Sequence, residues 1–304
     1  MESKPAAARG AALRSERGRI SSGGRDRTYE VVRGGEAPAL LLLMLHGSYQ
    51  SGAKVRAFSG NSFDQLVRSD NAVVVYPDAY KGLWNDARSS MISPARAAGV
   101  DDVAFLSALI DRFRGLYGPL PVYAAGYSNG GQMVVRLLYE IPDKLAGAVL
   151  IGATQPAPEN LLMVEDKRLP LPVLLIHGTR DPLVPYEGGI ASLWGFKPRG
   201  KGLSAPESAR YFASRNGITT EPKAEQLPHQ RASGKTSVTV TRFRQEGRPG
   251  VTLYTVTNGG HVIPNPTKSA LFFLGPTTRD ISTADVLSSF IAEQRATPAT
   301  GASR

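Results

Sequence analysis

Val122-Tyr123-Ala124-Ala125-Gly126-Tyr127-Ser128-Asn129-Gly130-Gly131 decides how this chain is read. An apolar run leads into Gly-x-Ser-x-Gly, and Met133, Val134, Leu137, Leu138 and Ile141 follow at helical spacing. The expected elements are a strand, a sharp turn and a helix. A serine at the tip of such a turn sits in strained backbone, and Gly126 and Gly130 leave room for the turn to close. The strain lifts the hydroxyl clear of the sheet, and the following helix aims its N-terminal amides at the same spot. Ser128 is therefore the candidate nucleophile, and the Asn129 N–H a candidate oxyanion donor. The pattern is common in sequences, so a base, an acid and a second donor must be found elsewhere in the chain.

Upstream, Ala39 to Leu45 is continuously apolar, as a central strand covered on both faces requires. It runs into His46-Gly47-Ser48-Tyr49. Thr28 to Val32 reads as a first strand, Ser62 to Arg68 as a helix, and Ala72 to Tyr76 as a buried strand stopped by Pro77-Asp78. Asp101-Asp102 opens a helix carrying Val103, Leu106, Leu109, Ile110 and Phe113 inward. Downstream, Ala146–Ile151, Pro172–Ile176 and Val251–Val256 read as strands, and Thr236–Phe243 as an exposed or edge strand. Ser204–Asn216 suggests a helix, and Ser282 caps a last one bearing Val286, Leu287, Phe290 and Ile291. Strands alternating with helices predict an α/β fold with a mostly parallel sheet and helices on both faces.

The chain has 304 residues, 41% of them hydrophobic, enough for one sizeable core. No run approaches the roughly 18 apolar residues of a membrane span. There is no cysteine, which excludes disulfides, thiolate chemistry and cysteine zinc sites. The net charge of +10 is uneven, with seven basic against three acidic residues before Thr28. That stretch lacks interleaved aromatics and is rich in Ala, Gly and Ser, so residues 1–26 are expected as a solvated, disordered tail rather than a nucleic-acid arm. Residues 27–295 are expected as a single catalytic domain and 296–304 as a frayed end. As written the chain carries no leader and reads as cytoplasmic; a trimmed leader would make it secreted.

In an open α/β sheet, sites gather beyond the carboxyl ends of the strands. A serine hydroxyl needs a base near pH 7, and that histidine needs an acid to fix its tautomer. Asp181 and His261 follow Ser128 in one of the known chain orders of this constellation, each at an expected strand end. His46 and His177 precede glycines in strand-end turns and read as loop-organising, and His229 lies in a polar loop. Asp78 is the rival acid. The second oxyanion donor should come from the loop after Leu45: the Ser48 N–H first, the Tyr49 N–H next. Gly234-Lys235-Thr236 has neither the spacing nor the preceding strand of a P-loop, there is no Gly-x-Gly-x-x-Gly and no His-Glu-x-x-His, so no cofactor and no metal is called for.

The blocks Leu45–Ser51, Val75–Asp78 with Trp84-Asn85, Asp101–Leu106, Gly126–Gly131, His177–Tyr186 and Gly259–His261 together resemble α/β-hydrolase esterases of the polyhydroxybutyrate depolymerase-like and feruloyl or acetylxylan esterase-like group. The resemblance spans about Thr28 to Glu293. It implies the α/β-hydrolase fold, a triad of Ser128, Asp181 and His261, and an oxyanion hole from the Ser48 region and Asn129. Such depolymerases often carry Cys where Ser48 stands, and a backbone contact survives that change. Trp84 falls where these enzymes place an aromatic near the site: it either flanks the acyl or aryl group or belongs to the core. Tyr49 and Tyr127 join it as tentative substrate-binding residues. The function implied is a serine carboxylic-ester hydrolase acting on a small-molecule or polymer ester. The same triad could serve a peptidase or amidase, and a degenerate hydrolase fold could serve as a binding protein.

Overall fold

The computed structural model describes residues 13–35, 37–162, 166–192, 198–268 and 271–296. Among these residues ten strands form one sheet: β1 (Arg14–Ser22), β2 (Arg25–Arg33), β3 (Leu40–Leu45), β4 (Ala72–Pro77), β5 (Val122–Tyr127), β6 (Gly147–Ile151), β7 (Val173–Gly178), β10 (Lys223–Gln226), β11 (Ser237–Phe243) and β12 (Val251–Thr257). The short pair β8 (Gly189–Ile190) and β9 (Lys201–Gly202) stands apart as an antiparallel ribbon. The sheet order is β1-β2-β4-β3-β5-β6-β7-β12-β11-β10. Its centre, β4-β3-β5-β6-β7-β12, is parallel throughout. The two margins are antiparallel.

Among the described residues seven helices surround the sheet: α1 (Gly52–Phe58), α2 (Leu66–Ser69), α3 (Pro94–Ala97), α4 (Asp102–Tyr117), α5 (Asn129–Glu140), α6 (Ala205–Arg215) and α7 (Thr283–Ala296). β3 explains the layering. Its side chains alternate faces, and all are buried because both faces are covered. Leu41, Leu43 and Leu45 pack with Leu106, Phe113, Met133, Leu137 and Phe212 of α4, α5 and α6. Leu40, Leu42 and Met44 pack on the other face with Val55, Leu66, Leu287 and Phe290 of α1, α2 and α7. Local signals start and stop these elements as the sequence predicts. The Asp101 carboxylate accepts from the Ala104 N–H at the start of α4, and Ser204 and Glu207 form a reciprocal capping box at the start of α6. This is the α/β-hydrolase fold. Among the described residues no helix is long and apolar enough to cross a membrane.

Three expectations are corrected. Arg14–Ser22, expected within a disordered tail, pairs residue for residue with β2, from Arg14↔Arg33 to Ser22↔Arg25. Its side chains are mostly exposed, so the hairpin is held by its ladder and gives no apolar periodicity to read. Residues 1–12 and 297–304 lie outside the described residues. The Thr236–Phe243 strand is not at the edge: β11 sits between β12 and β10, and exposed β10 is the outermost strand. The helix expected over Ser62–Arg68 is a 3₁₀ turn, Ser62–Gln65, that continues into α2.

Candidate active site

Ser128 sits between β5 and α5 with φ 55° and ψ −117°, a conformation that L-residues avoid. Close packing holds it there. The Ser128 N–H donates to the Ile151 carbonyl at 2.8 Å, and the Ser128 carbonyl accepts from the Gln132 N–H at 3.0 Å. A Cβ at position 126 would overlap the Gly130 carbonyl, and one at 130 would overlap the Leu45 carbonyl. The two glycines thus let β3, β5 and α5 meet at backbone distance.

Asp181 and His261 meet at the ends of β7 and β12. The two turns interlock: the Arg180 N–H donates to the Gly259 carbonyl at 2.8 Å, and the Asn258 N–H to the Thr179 hydroxyl at 2.9 Å. Asp181 Oδ1 accepts the N–H groups of Leu183 and Val184, both at 2.8 Å. Its Oδ2 lies 2.6 Å from His261 Nδ1. With a carboxylate there, Nδ1 carries the proton and Nε2 is left as an acceptor. Burial alone would raise the Asp181 carboxyl. The charge and hydrogen bond of His261, with His177 and the Val184 N–H, outweigh it and hold the group below the usual carboxylate value. The His261 N–H donates to the Leu274 carbonyl at 2.7 Å, and the Tyr127 hydroxyl donates to the His261 carbonyl at 2.7 Å. His261 Nε2 is buried and, among the described residues, has no hydrogen-bond partner.

Ser128, His261, Ser48, Tyr49 and Tyr127 line one cavity of about 260 Å³. Two backbone donors next to Gly47 and Ser128 are uncommitted: among the described residues neither the Ser48 nor the Asn129 N–H donates to a protein acceptor. The Tyr49 N–H is engaged by the Gly82 carbonyl at 2.8 Å, which removes the alternative donor. The Gln50 side chain shapes this loop by accepting the Gly47 N–H at 3.1 Å. Asp78, the rival acid, serves elsewhere: it accepts the Gly52 N–H at 2.8 Å and the Thr28 hydroxyl at 2.6 Å.

The three aromatic candidates part ways. Tyr49 is half-exposed at the cavity, in left-handed backbone with φ 61°. Tyr127 lines the cavity beneath His261, its ring 5.0 Å from the imidazole and stacked on Phe58 at 5.3 Å. Trp84 does not reach the cavity. It is fully buried, its indole N–H donates to the His46 carbonyl at 2.9 Å, and its backbone N–H donates to Asn129 Oδ1 at 2.9 Å. The core alternative therefore holds for Trp84.

His46 and His177 are the loop organisers expected of them. His46 Nδ1 donates to the Gly47 carbonyl at 2.7 Å, and its Nε2 accepts the Ala79 N–H at 3.0 Å. His177 Nε2 donates to the Val184 carbonyl at 2.9 Å and lies 3.4 Å from Asp181 Oδ2. Burial lowers the proton affinity of both, so both are neutral.

Sequence reading missed the polar wall of the cavity. Arg88 and Arg199 form it, with Leu271 and Phe273 at the rim, and the buried Asp86 holds Arg88 in place. Arg88 grips Asp86 through Nε at 3.2 Å and Nη2 at 2.5 Å, and Asn129 Nδ2 donates to Asp86 at 2.6 Å. Only the apolar run Leu271–Leu274, outside any helical pattern, was a readable signal.

Comparison with known proteins finds esterases. Residues 117–193, which carry the Ser128 turn and Asp181, match a family model described as phospholipase/carboxylesterase. The chain is 29% identical over 283 residues to NocK of Nocardia uniformis subsp. tsuyamanensis, named an esterase; the match covers 88% of this chain and 80% of that one. It is 28% identical over 230 residues to feruloyl esterase B of Piromyces equi, covering 75% of this chain and 40% of that one. The acetyl xylan esterase of Aspergillus awamori shares the fold with a TM-score of 0.56 at 13% identity, over 82% of this chain and 95% of that one. The sequence resemblance to feruloyl- and acetylxylan-type esterases is thus matched by the relatives found. Fold and relatives define an esterase-type hydrolase of the α/β-hydrolase fold.

Proposed function

We propose that the chain hydrolyses carboxylic esters through an acyl-enzyme on Ser128, with His261 as the base, Asp181 as its orienting acid, and the Ser48 and Asn129 N–H groups as the oxyanion hole. The observation that carries the reading is the Asp181–His261 contact of 2.6 Å beside a buried, unpartnered Nε2, in the cavity that Ser128 lines. In the first half-reaction the Ser128 oxygen attacks the ester carbonyl carbon and its proton passes to His261 Nε2. The negative oxygen of the tetrahedral adduct takes the two free N–H groups. His261 then gives its proton to the departing alkoxide, the C–O bond breaks, and the acyl group stays on Ser128. In the second half, water attacks the acyl carbon as His261 takes its proton. The carboxylic acid leaves, and the proton returns to Ser128.

A cavity of about 260 Å³ suits a short acyl chain or one aromatic ring. Feruloyl, acetyl and short hydroxyalkanoate esters are the substrate classes to try, and the names of the relatives favour the first two. The test is Ser128→Ala on short nitrophenyl esters. We expect kcat to fall by at least about 10⁴-fold, as when a serine nucleophile is removed elsewhere. A variant hydrolysing at the parent rate would end the proposal.

A further inference from the structure

Arg199 reaches the cavity from the arm that leads into β9. Its backbone is fixed: the Arg199 N–H donates to the Ala191 carbonyl at 2.8 Å, and the Ala191 N–H donates to the Gly200 carbonyl at 3.1 Å. Gly200 has φ 79° and lies against Ser90 and Asn160 so closely that a Cβ would overlap the Ser90 hydroxyl. The arm is therefore seated on the body of the protein. The Arg199 side chain is about nine-tenths buried and lines the same cavity as Ser128 and His261.

A buried guanidinium is costly unless it meets an anion. Arg199 Nη1 donates to the neutral Ser48 hydroxyl at 2.5 Å, and the Tyr49 hydroxyl is within reach. Among the described residues no carboxylate lies within ion-pairing distance of it. The nearby acid is already taken, because Asp86 binds Arg88 through both oxygens and also accepts from Asn129. Among the described residues, the two guanidinium groups that line the cavity, Arg88 and Arg199, thus stand against one nearby carboxylate, Asp86. Burial first, and the charge of Arg88 next, hold the Arg199 group below its ordinary pKa, the signature of a cation short of a counter-ion. A planar fork with free donors matches a carboxylate, whereas a phosphate dianion would call for a second uncommitted cation.

We propose that Arg199 receives a carboxylate carried by the substrate, so that the preferred esters are anionic: a half-ester of a dicarboxylic acid, or an ester whose alcohol half bears a carboxylate. This inference rests on the reading of Ser128 as the nucleophile. The Ser48 and Tyr49 hydroxyls complete the subsite beside Arg199, next to the proposed oxyanion donor.

Two matched pairs test it by following acid release at pH 7. Monomethyl adipate against methyl pentanoate places the charge on the acyl side; 3-acetoxybenzoate against 3-acetoxybenzamide places it on the alcohol side. Each kcat/KM is divided by the alkaline hydrolysis rate of that ester. In the parent protein we expect the anionic member of at least one pair to be favoured by about tenfold or more, as a charge-assisted hydrogen bond provides. In Arg199→Gln that ratio should collapse toward one, and Arg199→Lys should keep part of it. Equal rates within both pairs in the parent would overturn the inference alone, whatever the variants do. A preference that survives unchanged in Arg199→Gln would also overturn it. If the parent hydrolysed none of the four esters, the nucleophile reading and this inference would fall together; hydrolysis that persisted in Ser128→Ala would overturn the nucleophile reading first.

Discussion

The Trp84 N–H donates to Asn129 Oδ1 at 2.9 Å, so the loop after β4 is tied directly to the residue that follows Ser128. Asn129 Nδ2 extends the tie to Asp86 at 2.6 Å, and through it to Arg88. The side chain of Asn129 therefore fixes the cavity wall while its N–H stays uncommitted. In Asn129→Ala that N–H remains, but Trp84 and Asp86 lose buried partners. We expect a loss of about 1–3 kcal/mol in stability, as for unsatisfied buried polar groups. We also expect a fall in kcat with KM less affected. Urea unfolding and steady-state kinetics on one nitrophenyl ester check both. An unchanged kcat would remove Asn129's side chain from the account.

Trp84 gives a contrasting prediction. It is fully buried and is not among the residues that line the cavity. Trp84→Phe removes the indole donor to the His46 carbonyl and leaves that acceptor unpaired. A loss of about 1–3 kcal/mol is expected in chemical unfolding. KM for aryl and alkyl esters should stay within about twofold, for want of any substrate contact. A KM that rises selectively for aryl esters would return Trp84 to the binding site.

Gly126→Ala tests the packing under the serine. The added methyl would overlap the Gly130 backbone, which cannot turn aside as a side chain can. Overpacking against backbone is expected to cost at least about 3 kcal/mol, the upper end of such costs. Soluble yield and the unfolding midpoint measure this. A variant as stable as the parent would show that the turn can open without loss.

Stability should depend on pH in a stated direction. His46 and His177 are held below the ordinary histidine value of 6.5, by burial first. The unfolded chain regains that value and so binds more protons below it. Stability is therefore full above about pH 6.5 and is lost as pH falls toward the folded-state values. Asp181, also depressed, adds a further loss only in the acid range below ordinary carboxylate values. Melting temperatures from pH 8 to pH 5 should be flat and then fall, with a shallower fall in His46→Gln. A constant melting temperature across that range would contradict the buried neutral histidines.

Much of this was legible in the sequence, for identifiable reasons. β3 was readable because Leu40–Leu45 is buried on both faces and so is apolar without interruption. The sites of Ser128, Asp181 and His261 were readable because each follows an apolar strand at a small-residue turn. Arg14–Ser22 was not, because an exposed hairpin is held by backbone pairing that polar side chains do not announce. Arg199 was not, because its burial depends on Gly200 resting against Ser90 and Asn160, far away in the chain. Trp84 fell between the two: its place near the site was readable, but only its bond to the His46 carbonyl decides which way it faces.

The central claim is that Ser128 is the nucleophile of this cavity, activated by His261. Its most direct test is treatment with an alkyl fluorophosphonate followed by intact mass and peptide mapping. The account predicts one adduct per chain, on Ser128, with ester hydrolysis lost in proportion to labelling, and no adduct in Ser128→Ala. A parent protein that hydrolyses esters yet takes no label at Ser128, or takes it at another residue, would contradict the account.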